Sequence, residues 1–457
     1  MPAEGPRYLA PLAWVGRGWA RDVLMTVDAG GFWSEITVDA GKALREGAKR
    51  LDGPVLPGLV NAHSHAFQRA IAGLTECSAE GEDDFWRWRD RMYSAANRIT
   101  PPQIEAIAAF LYAELLQAGY TEVCEFQYLH NDLDGRPYAD PAEMALALVR
   151  AAQRVGIGLT LLPTLYMRKG FGTTGLRPDQ RRFASTPDSV LRIGETIDRV
   201  ADPRIHAGVA LHSLRAVDAA ALAEVAAAAR GRMPVHIHIA EQQQEVTECI
   251  AQQGQRPVEW LLERVALDAQ WNLVHATQTT PAELAGVQAT GASIVICPST
   301  EANLGDGVFD LSDWLGRAGS WSIGSDSHVT RSWQEELRLL EYSQRLALRQ
   351  RNIAARAGGG ESTAVVLFEG ALAGGSAAAG RALGGIRVGQ RADFMVRDRS
   401  TPALLGVPDV QLLDALVFST PHAGLRQVHV AGQPVRSLAA QPELARAMQA
   451  AMQALWR

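Results

Sequence analysis

The sequence predicts an α/β fold: a (β/α)8 TIM-like barrel with a small flanking β-sandwich built from both chain ends. Eight apolar runs of strand length alternate with helical stretches, and eight βα units imply a closed parallel barrel. Strand-like alternation without helices is confined to the two ends. Four distant segments also place a metal-type ligand at the end of a predicted strand, and a barrel gathers all its strand ends at one mouth.

The N-terminal segment is predicted to be all-β. Alternating runs cover residues 8–15, 23–27 and 32–38, and turns rich in Gly, Asp and Arg separate them. The rhythm changes at Leu56-Pro57-Gly58, where strands begin to alternate with helices.

The central segment is predicted to supply the barrel. Its eight predicted strands are 58–65, 121–128, 157–165, 205–212, 234–240, 271–277, 292–298 and 320–326. The predicted helices between and after them include 101–119, 141–155, 216–230, 255–267, 281–290 and 332–350.

The C-terminal segment returns to a β pattern in residues 386–396 and 427–435. The Ala- and Gly-rich stretch 370–385 is predicted to be a packed helix followed by a turn, because Ala is a strong helix former. We therefore expect one β-sandwich domain from 1–57 plus 381–457, and one barrel domain from 58–380.

Composition excludes several classes of protein. The chain has 457 residues, 47% hydrophobic and 21% charged, which is typical of a soluble globular protein. A net charge of −6 argues against a nucleic-acid-binding protein, which would carry an excess of basic residues. The scattered cysteines indicate reduced thiols (Cys77, Cys124, Cys249, Cys297). The sequence shows neither a signal peptide nor a run of 18 apolar residues, so we expect a cytoplasmic protein without membrane contact, and base rates favour a homodimer.

The first predicted barrel strand ends in a His-x-His pair, His63 and His65. Successive side chains of a strand alternate between its faces, so these two imidazoles share one face. The pair follows the apolar run Leu56–Val60 and lies where barrel active sites form. Two imidazoles at that position can bind one cation.

The fifth predicted strand carries a second pair, His236 and His238, also on one face. Spacing alone does not choose the ligand, but the strand end lies nearer the mouth and favours His238. We expect His236 one layer deeper and hydrogen-bonded. Glu241 follows the strand, close to the cation but displaced from it, which suits proton transfer better than ligation.

Two further strand ends complete the site. His275 follows Asn272-Leu273-Val274, and Asp326 ends the run that begins at Trp321. The metal set His63, His65, His238 and Asp326 offers three nitrogens and one carboxylate, which suits one Zn2+ per chain with an added water. A bound cation lowers the pKa of water to about 7.

These motifs resemble the aminohydrolase branch of the amidohydrolase superfamily. Gly389–Phe394 is similar to the G-x-x-A-D turn of these proteins, and Cys297–Gly307 to their strand 7 loop. Within the branch, three segments resemble the deiminases that act on N-formimidoyl-L-glutamate: Asn61–Arg69, Phe85–Arg89 and Leu211–Arg215.

This resemblance implies a small acidic substrate, whose two carboxylates need cationic and preferably bidentate partners. Arg215 follows strand 4 at the mouth, and Arg89 lies in the insertion after strand 1. Arg87 and Arg91 compete with Arg89 for one role. The remaining expected substrate contacts are Gln68, Tyr128 and His212.

The implied reaction is hydrolysis of N-formimidoyl-L-glutamate to N-formyl-L-glutamate and ammonia, a step of histidine degradation. The expected catalytic residues are Glu241, His275 and Asp326. Asp326 accepts the proton of water and Glu241 protonates the departing nitrogen. His275 orients or stabilises the oxygen on which charge develops.

Three alternatives stay open. A purine, pyrimidine or triazine aminohydrolase would keep the metal set but would need stacking and amide contacts rather than paired arginines. A metal-free scaffold or binding protein would lose ligands, and all are present here. A two-metal hydrolase would need a bridging lysine at the end of strand 4, where this chain has His212.

Overall fold

The computed structural model describes residues 5–76, 85–419 and 424–457. Cys77 lies outside these ranges, and the other three cysteines are buried free thiols. The strands are β1 Arg7–Val15, β2 Gly18–Val27, β3 Trp33–Thr37, β4 Lys49–Arg50, β5 Val55–Pro57, β6 Leu59–Ser64, β7 Tyr120–Gln127, β8 Gly158–Leu165, β9 Ile205–Ala207, β10 Val209–Ser213, β11 Val235–Ile239, β12 Trp271–His275, β13 Ser293–Ile296, β14 Trp321–Ile323, β15 Phe394–Arg397, β16 Leu425–Val430 and β17 Gln433–Pro434.

The α-helices are α1 Phe85–Ala96, α2 Pro101–Ala118, α3 Glu143–Val155, α4 Pro187–Asp198, α5 Ala219–Ala229, α6 Gln243–Gln253, α7 Pro257–Arg264, α8 Pro281–Thr290, α9 Pro298–Leu304, α10 Leu311–Gly316, α11 Trp333–Leu348, α12 Ile353–Ala357, α13 Thr363–Ala379, α14 Leu412–Phe418 and α15 Pro442–Trp456. None of these helices is both long enough and apolar enough to cross a membrane.

The two chain ends form one mixed sheet with the strand order β17-β16-β15-β5-β1-β2-β3, and β4 pairs with β1. Its buried residues make a hydrophobic cluster of their own that includes Tyr8, Trp33 and Phe394. The prediction of a small β unit built from both ends is confirmed, and ladder hydrogen bonds join its strands into a single sheet. The domain boundaries themselves stay a prediction.

The central strands form the parallel barrel in the order β14-β13-β12-β11-β10-β8-β7-β6, with β9 paired to β8. The ends of this sheet meet through a bridge between Ser64 and Asp326, which closes the barrel. All residues of β6, β7 and β8 are buried. Burial on both faces explains why these strands are continuous apolar runs in the sequence.

The last helix of the barrel, α13, lies against the strands at the point of closure. A Cβ added to Gly374 would lie 1.7 Å from the carbonyl oxygen of Trp321, so the helix backbone touches β14. The predicted helix over 370–385 is therefore the second half of a longer helix that ends at Ala379.

The structure departs from the sequence-based expectation in several elements. The predicted strand 386–396 is mostly turn, and its ladder begins only at Phe394. The predicted fourth barrel strand is divided at Gly208 into β9 and β10. A Cβ at Gly208 would lie 2.5 Å from Leu162, so this break lets the chain pass close to β8.

Candidate active site

The end of β6 delivers His63 and His65 to the mouth of the barrel, and both side chains are buried. The Nδ1 of His65 is 2.9 Å from the carbonyl oxygen of Phe126 in β7. A carbonyl can only accept a hydrogen bond, so Nδ1 carries the hydrogen and Nε2 presents its lone pair. The neighbouring strand therefore fixes the tautomer that a metal ligand needs.

His238 is prepared in the same way at the end of β11. Its Nδ1 is 2.9 Å from the carbonyl oxygen of His212, so its Nε2 also presents a lone pair. His236 takes a different partner, the carbonyl oxygen of Ala378 in α13, 2.9 Å from its Nε2. The structure thus places His238, rather than His236, beside His63.

Asp326 follows β14 and meets the first strand directly. A glycine precedes it in the sequence Gly324-Ser325-Asp326, and a Cβ at Gly324 would lie 2.5 Å from the Cβ of His63. Only a residue without a side chain permits that approach. Gly324 therefore lets the last strand bring the carboxylate of Asp326 against the histidines.

Four predicted ligands converge on one point. The Nε2 atoms of His63 and His238 are 3.0 Å apart. An Oδ1 oxygen of Asp326 lies 3.5 Å from the Nε2 of His63 and 3.3 Å from that of His65. Nitrogen and oxygen ligands about 2.0–2.2 Å from a single zinc ion lie roughly 3–3.6 Å from each other. The spacing fits one divalent cation.

The charges of this cluster also suit a cation. Burial lowers the pKa of His63 to about 3 and lowers the pKa values of His65 and His238. Burial alone would raise the pKa of Asp326, but its hydrogen bond to His63 and the nearby imidazoles outweigh burial and lower it. Neutral imidazoles and an ionised carboxylate are the protonation states that bind metal.

A second group, of carboxylates, surrounds His275. Its Nε2 lies 3.7 Å from Glu241 and 3.8 Å from Asp326, and its Nδ1 lies 3.3 Å from Glu301. Burial would lower the pKa of His275, but these carboxylates outweigh burial and raise it to about 10. Burial raises the pKa of Glu241, partly opposed by His275 and Arg215. A protonated carboxyl group beside the metal ligands can donate a proton.

The backbone at the strand ends adopts a conformation that few side chains tolerate. Five non-glycine residues at the mouth have φ between 45° and 72°: Ala240, His275, Ala276, Asp326 and His328. Such left-handed residues cost free energy and persist where the surrounding structure imposes them, which occurs most often at functional sites. Two of these residues, His275 and Asp326, were predicted for the site from the sequence, and Ala240 and Ala276 adjoin Glu241 and His275.

The predicted substrate contacts line a pocket above the histidines. Gln68, Tyr128, His212, Arg89 and Arg215 all line it, together with His65, His238, Glu241, His275 and Asp326. The Nε2 of Gln68 donates to the hydroxyl of Tyr128 at 3.2 Å. The guanidinium of Arg215 lies 3.8 Å from Glu241 and 4.0 Å from Glu245. The structure therefore gathers every residue predicted for the site, and their individual roles stay predictions.

The three arginines of helix α1 have different surroundings. Arg89 faces the pocket and stacks over Tyr93, with its guanidinium carbon 5.6 Å from the ring centre. Arg91 instead donates to the carbonyl oxygen of Thr75 at 2.6 Å. Arg87 does not line the pocket. Of these three arginines, Arg89 is the one that lines the pocket, and its contact with substrate stays a prediction.

Sequence reasoning missed several buried polar residues that support the site. Glu125 in β7 accepts hydrogen bonds from the hydroxyl of Ser64 and the backbone N–H of Ala66, each at 2.6 Å, and so clasps both neighbours of His65. The others are Glu245, Glu301, Asp306 and His328. A charged residue inside a predicted barrel strand, such as Glu125, was the signal that could have revealed the first of them.

Known proteins share both the sequence and the architecture. The model of the amidohydrolase family matches residues 55–435. A formimidoylglutamate deiminase of Pseudomonas aeruginosa is 48% identical over 428 residues, which cover 93% of each chain. The crystal structure of an amidohydrolase from Brucella melitensis is 41% identical, with a TM-score of 0.91 over 99% of this chain and 100% of that one.

A more distant structure shares the fold alone. An adenosine deaminase from Xanthomonas campestris, crystallised with bound zinc, has a TM-score of 0.79 at 22% identity and covers 98% of this chain and 99% of its own.

Proposed function

Because this chain belongs to the amidohydrolase family, we propose that it hydrolyses N-formimidoyl-L-glutamate to N-formyl-L-glutamate and ammonia. One observation carries the proposal: the buried set of metal-type ligands lies beneath a pocket that contains both Arg89 and Arg215. The deiminase of P. aeruginosa, similar over nearly its full length, supports the same reaction. A pathway of histidine degradation would use this step.

The proposed cofactor is one Zn2+ per chain. His63, His65, His238 and Asp326 would hold it, because their ligand atoms converge at the spacing of a single cation. When bound, the cation lowers the pKa of a water molecule to about 7 and so makes a nucleophile available at neutral pH. His212 stands where a bridging lysine would be needed for two metals.

The arginines would orient the substrate. Arg215 is buried and Arg89 partly buried, so a carboxylate that pairs with either is largely removed from water. A guanidinium can bind a carboxylate through two parallel hydrogen bonds, which fixes its direction as well as its position. Gln68, Tyr128 and His212 line the same pocket and would add hydrogen bonds around the formimino group.

The carboxylates and His275 would move the protons. Addition of water to the formimino carbon releases one proton, which the ionised carboxylate of Asp326 can accept. Glu241, whose raised pKa favours the protonated form, can protonate the formimino nitrogen. As the C–N bond breaks and the formyl C=O forms, the added hydroxyl gives up its own proton, and a second proton transfer to the nitrogen lets it leave as ammonia. The carboxylates of Glu301 and Asp326 favour the protonated form of His275, which can stabilise the developing oxyanion.

Assays of released ammonia would test this function. The purified protein should release ammonia and N-formyl-L-glutamate from N-formimidoyl-L-glutamate. Its kcat/KM should be much lower for adenosine and S-adenosylhomocysteine, measured by released ammonia, and for a chlorotriazine, measured by released chloride. Preference for one of those heterocycles would replace the proposal with another aminohydrolase activity. A purified protein with neither bound metal nor turnover would favour the metal-free scaffold or binding role. We further propose that the enzyme is cytoplasmic and that it is a homodimer. Sedimentation of the purified protein tests the dimer, and cell fractionation tests the location.

A further inference from the structure

A larger chamber lies outside the pocket above the histidines, which is called the inner pocket from here on. It has a volume of about 550 Å³, and three cationic side chains line it: Arg89, Lys169 and Arg215. Arg89 and Arg215 also line the inner pocket. The two spaces therefore adjoin at the two arginines proposed to hold the substrate, and Lys169 is a third cation on the outer side.

The loop that carries Lys169 is tied to the loop that carries Arg215. The backbone N–H groups of Met167 and Arg168 both donate to the carbonyl oxygen of Ala216, at 2.9 and 3.1 Å. The guanidinium of Arg168 donates to the carbonyl oxygens of Leu214, Arg215 and Val217 at 2.8, 3.1 and 2.8 Å. These five hydrogen bonds fix the backbone at Lys169 relative to Arg215.

Helix α6 forms the opposite wall. Gln244, Glu248 and Gln252 line the chamber and are four residues apart, so they share one face of the helix. The side-chain amide of Gln244 donates to the carboxylate of Glu248 at 2.7 Å. Among the described lining residues Glu248 is the one carboxylate, so the cations outnumber it three to one.

Arg215 lies near the carboxylates of Glu241 and Glu245, so the positive charge of the chamber depends on Lys169 and Arg89, and it is opposite in sign to the net charge of the whole protein. The chain carries a net charge of −6, which repels an anion at long range. A cleft lined by charges of one sign raises the local concentration of ligands of the opposite sign. A ligand that enters through the chamber would therefore pass Lys169 before it reaches the pocket that Arg89 and Arg215 also line.

We propose that this chamber is a binding site for dicarboxylates ahead of the catalytic pocket, in which Lys169 captures one carboxylate and passes the ligand to Arg89 and Arg215. The inference rests on the proposed function for the identity of the substrate. It assigns Lys169 to capture and specificity, and leaves the chemistry to the inner pocket.

Charge variants test the proposal kinetically. Lys169→Glu should lower kcat/KM for N-formimidoyl-L-glutamate about five- to twentyfold, within the range that local charge imparts to encounter rates. Lys169→Arg keeps the positive charge and should therefore retain most of the wild-type kcat/KM. The dependence of kcat/KM on ionic strength should weaken in Lys169→Glu, because salt screens the attraction that this variant has lost.

Two matched variants sharpen the result. Glu248→Gln removes the opposing carboxylate and should raise kcat/KM about twofold at low salt, since it strengthens the same attraction. Lys42→Glu makes the same charge reversal in the terminal sheet unit and should leave kcat/KM unchanged. Equal losses in Lys42→Glu and Lys169→Glu would reveal an effect of net charge alone and would overturn the assignment.

A second measurement does not depend on turnover. The sequence has only three lysines, Lys42, Lys49 and Lys169. Acylation with a lysine-selective ester, followed by mass spectrometry, should show that N-formyl-L-glutamate protects Lys169 but neither of the other two. The uncharged N-formylglycinamide should protect none. Both outcomes can be read in the inactive variant Glu241→Gln as well as in the wild type.

The two proposals fail separately. If the enzyme turns over N-formimidoyl-L-glutamate but Lys169→Glu keeps wild-type kcat/KM and salt dependence, and the product gives no protection, the capture site is wrong and the function stands. If the enzyme does not turn over that substrate while N-formyl-L-glutamate still protects Lys169, the chamber binds dicarboxylates and the proposed function is wrong.

Discussion

His63 and Asp326 are joined twice, once through the backbone and once through their side chains. The backbone N–H of Asp326 donates to the carbonyl oxygen of His63 at 3.0 Å, and the Nε2 of His63 lies 3.5 Å from the carboxylate of Asp326. The same residues that close the barrel between its last and first strands therefore supply two of the proposed metal ligands. The contacts that close the barrel therefore also bring these two proposed ligands together.

The first prediction follows from the convergence of the ligands. His238→Ala should lose both the metal and turnover, because the remaining ligands no longer enclose the cation. Mass spectrometry of the elements in the purified variant should find well below one zinc per chain, against about one in the wild type. His236→Gln is the matched control, since its amide can still donate to Ala378, and it should retain its metal. Two metals per wild-type chain would contradict the single site.

The second prediction concerns proton transfer. Glu241→Gln keeps the size of the side chain but removes its acid. It should lower kcat by about 10²–10⁴, the range of general acid–base catalysis, with near-normal metal content. The readouts are initial rates and zinc analysis on the same sample. Loss of zinc would show that Glu241 is a ligand and that its assignment to proton transfer is wrong.

Most of the barrel could be predicted from sequence because each strand is a short apolar run bounded by turn residues. The prediction of 157–165 differs from β8 by one residue, and helix 281–290 matches α8. Helix α6 was missed because its sequence, Gln243–Gln253, is mostly polar and has little apolar periodicity. The segment before Phe394 was assigned as strand because alternation alone does not show where hydrogen-bonded pairing begins.

The site residues that lie at strand ends could be predicted from the sequence, because a barrel gathers the ends of its strands at one mouth. His63, His65, His238, His275 and Asp326 all follow apolar runs, and the fold brings them together. The family assignment made from these motifs is confirmed. Glu125 and Glu301 could not be assigned to the site, because the site residues that they contact, Ala66 and His275, lie 59 and 26 residues away in the sequence and come close only in the folded barrel.

The third prediction uses the buried His236 as a pH-dependent contribution to stability. Burial lowers its pKa to about 4, and its hydrogen bond to Ala378 only partly opposes this shift. The unfolded value is about 6.5, so the unfolded chain binds the proton first as the pH falls. The contribution is therefore complete above pH 6.5 and is lost as the pH falls toward 4.

Denaturant unfolding at two pH values checks that sign. Between pH 7.5 and 5.5 this single group should reduce the free energy of unfolding by roughly 1 kcal/mol. His236→Gln removes this titrating group. The free energy of unfolding of the variant should therefore decrease less than that of the wild type over the same pH interval, and the difference should equal the contribution of His236. An equal decrease in the wild type and the variant would show that His236 does not titrate differently on folding.

The last prediction concerns specificity in the inner pocket. Arg89→Met and Arg215→Met should each lower kcat/KM for N-formimidoyl-L-glutamate, because a desolvated carboxylate loses its partner. The loss of transition-state stabilisation calculated from the ratio of kcat/KM values should be about 2–5 kcal/mol. The loss should shrink for a formimino substrate without the matching carboxylate, where that contact is already missing. Arg87→Met is the control, because Arg87 does not line the pocket, and it should change little. A damaging Arg87→Met with a silent Arg89→Met would shift the assignment along α1. If both Arg89→Met and Arg215→Met are silent, the acidic substrate is excluded and a neutral heterocycle becomes the better candidate.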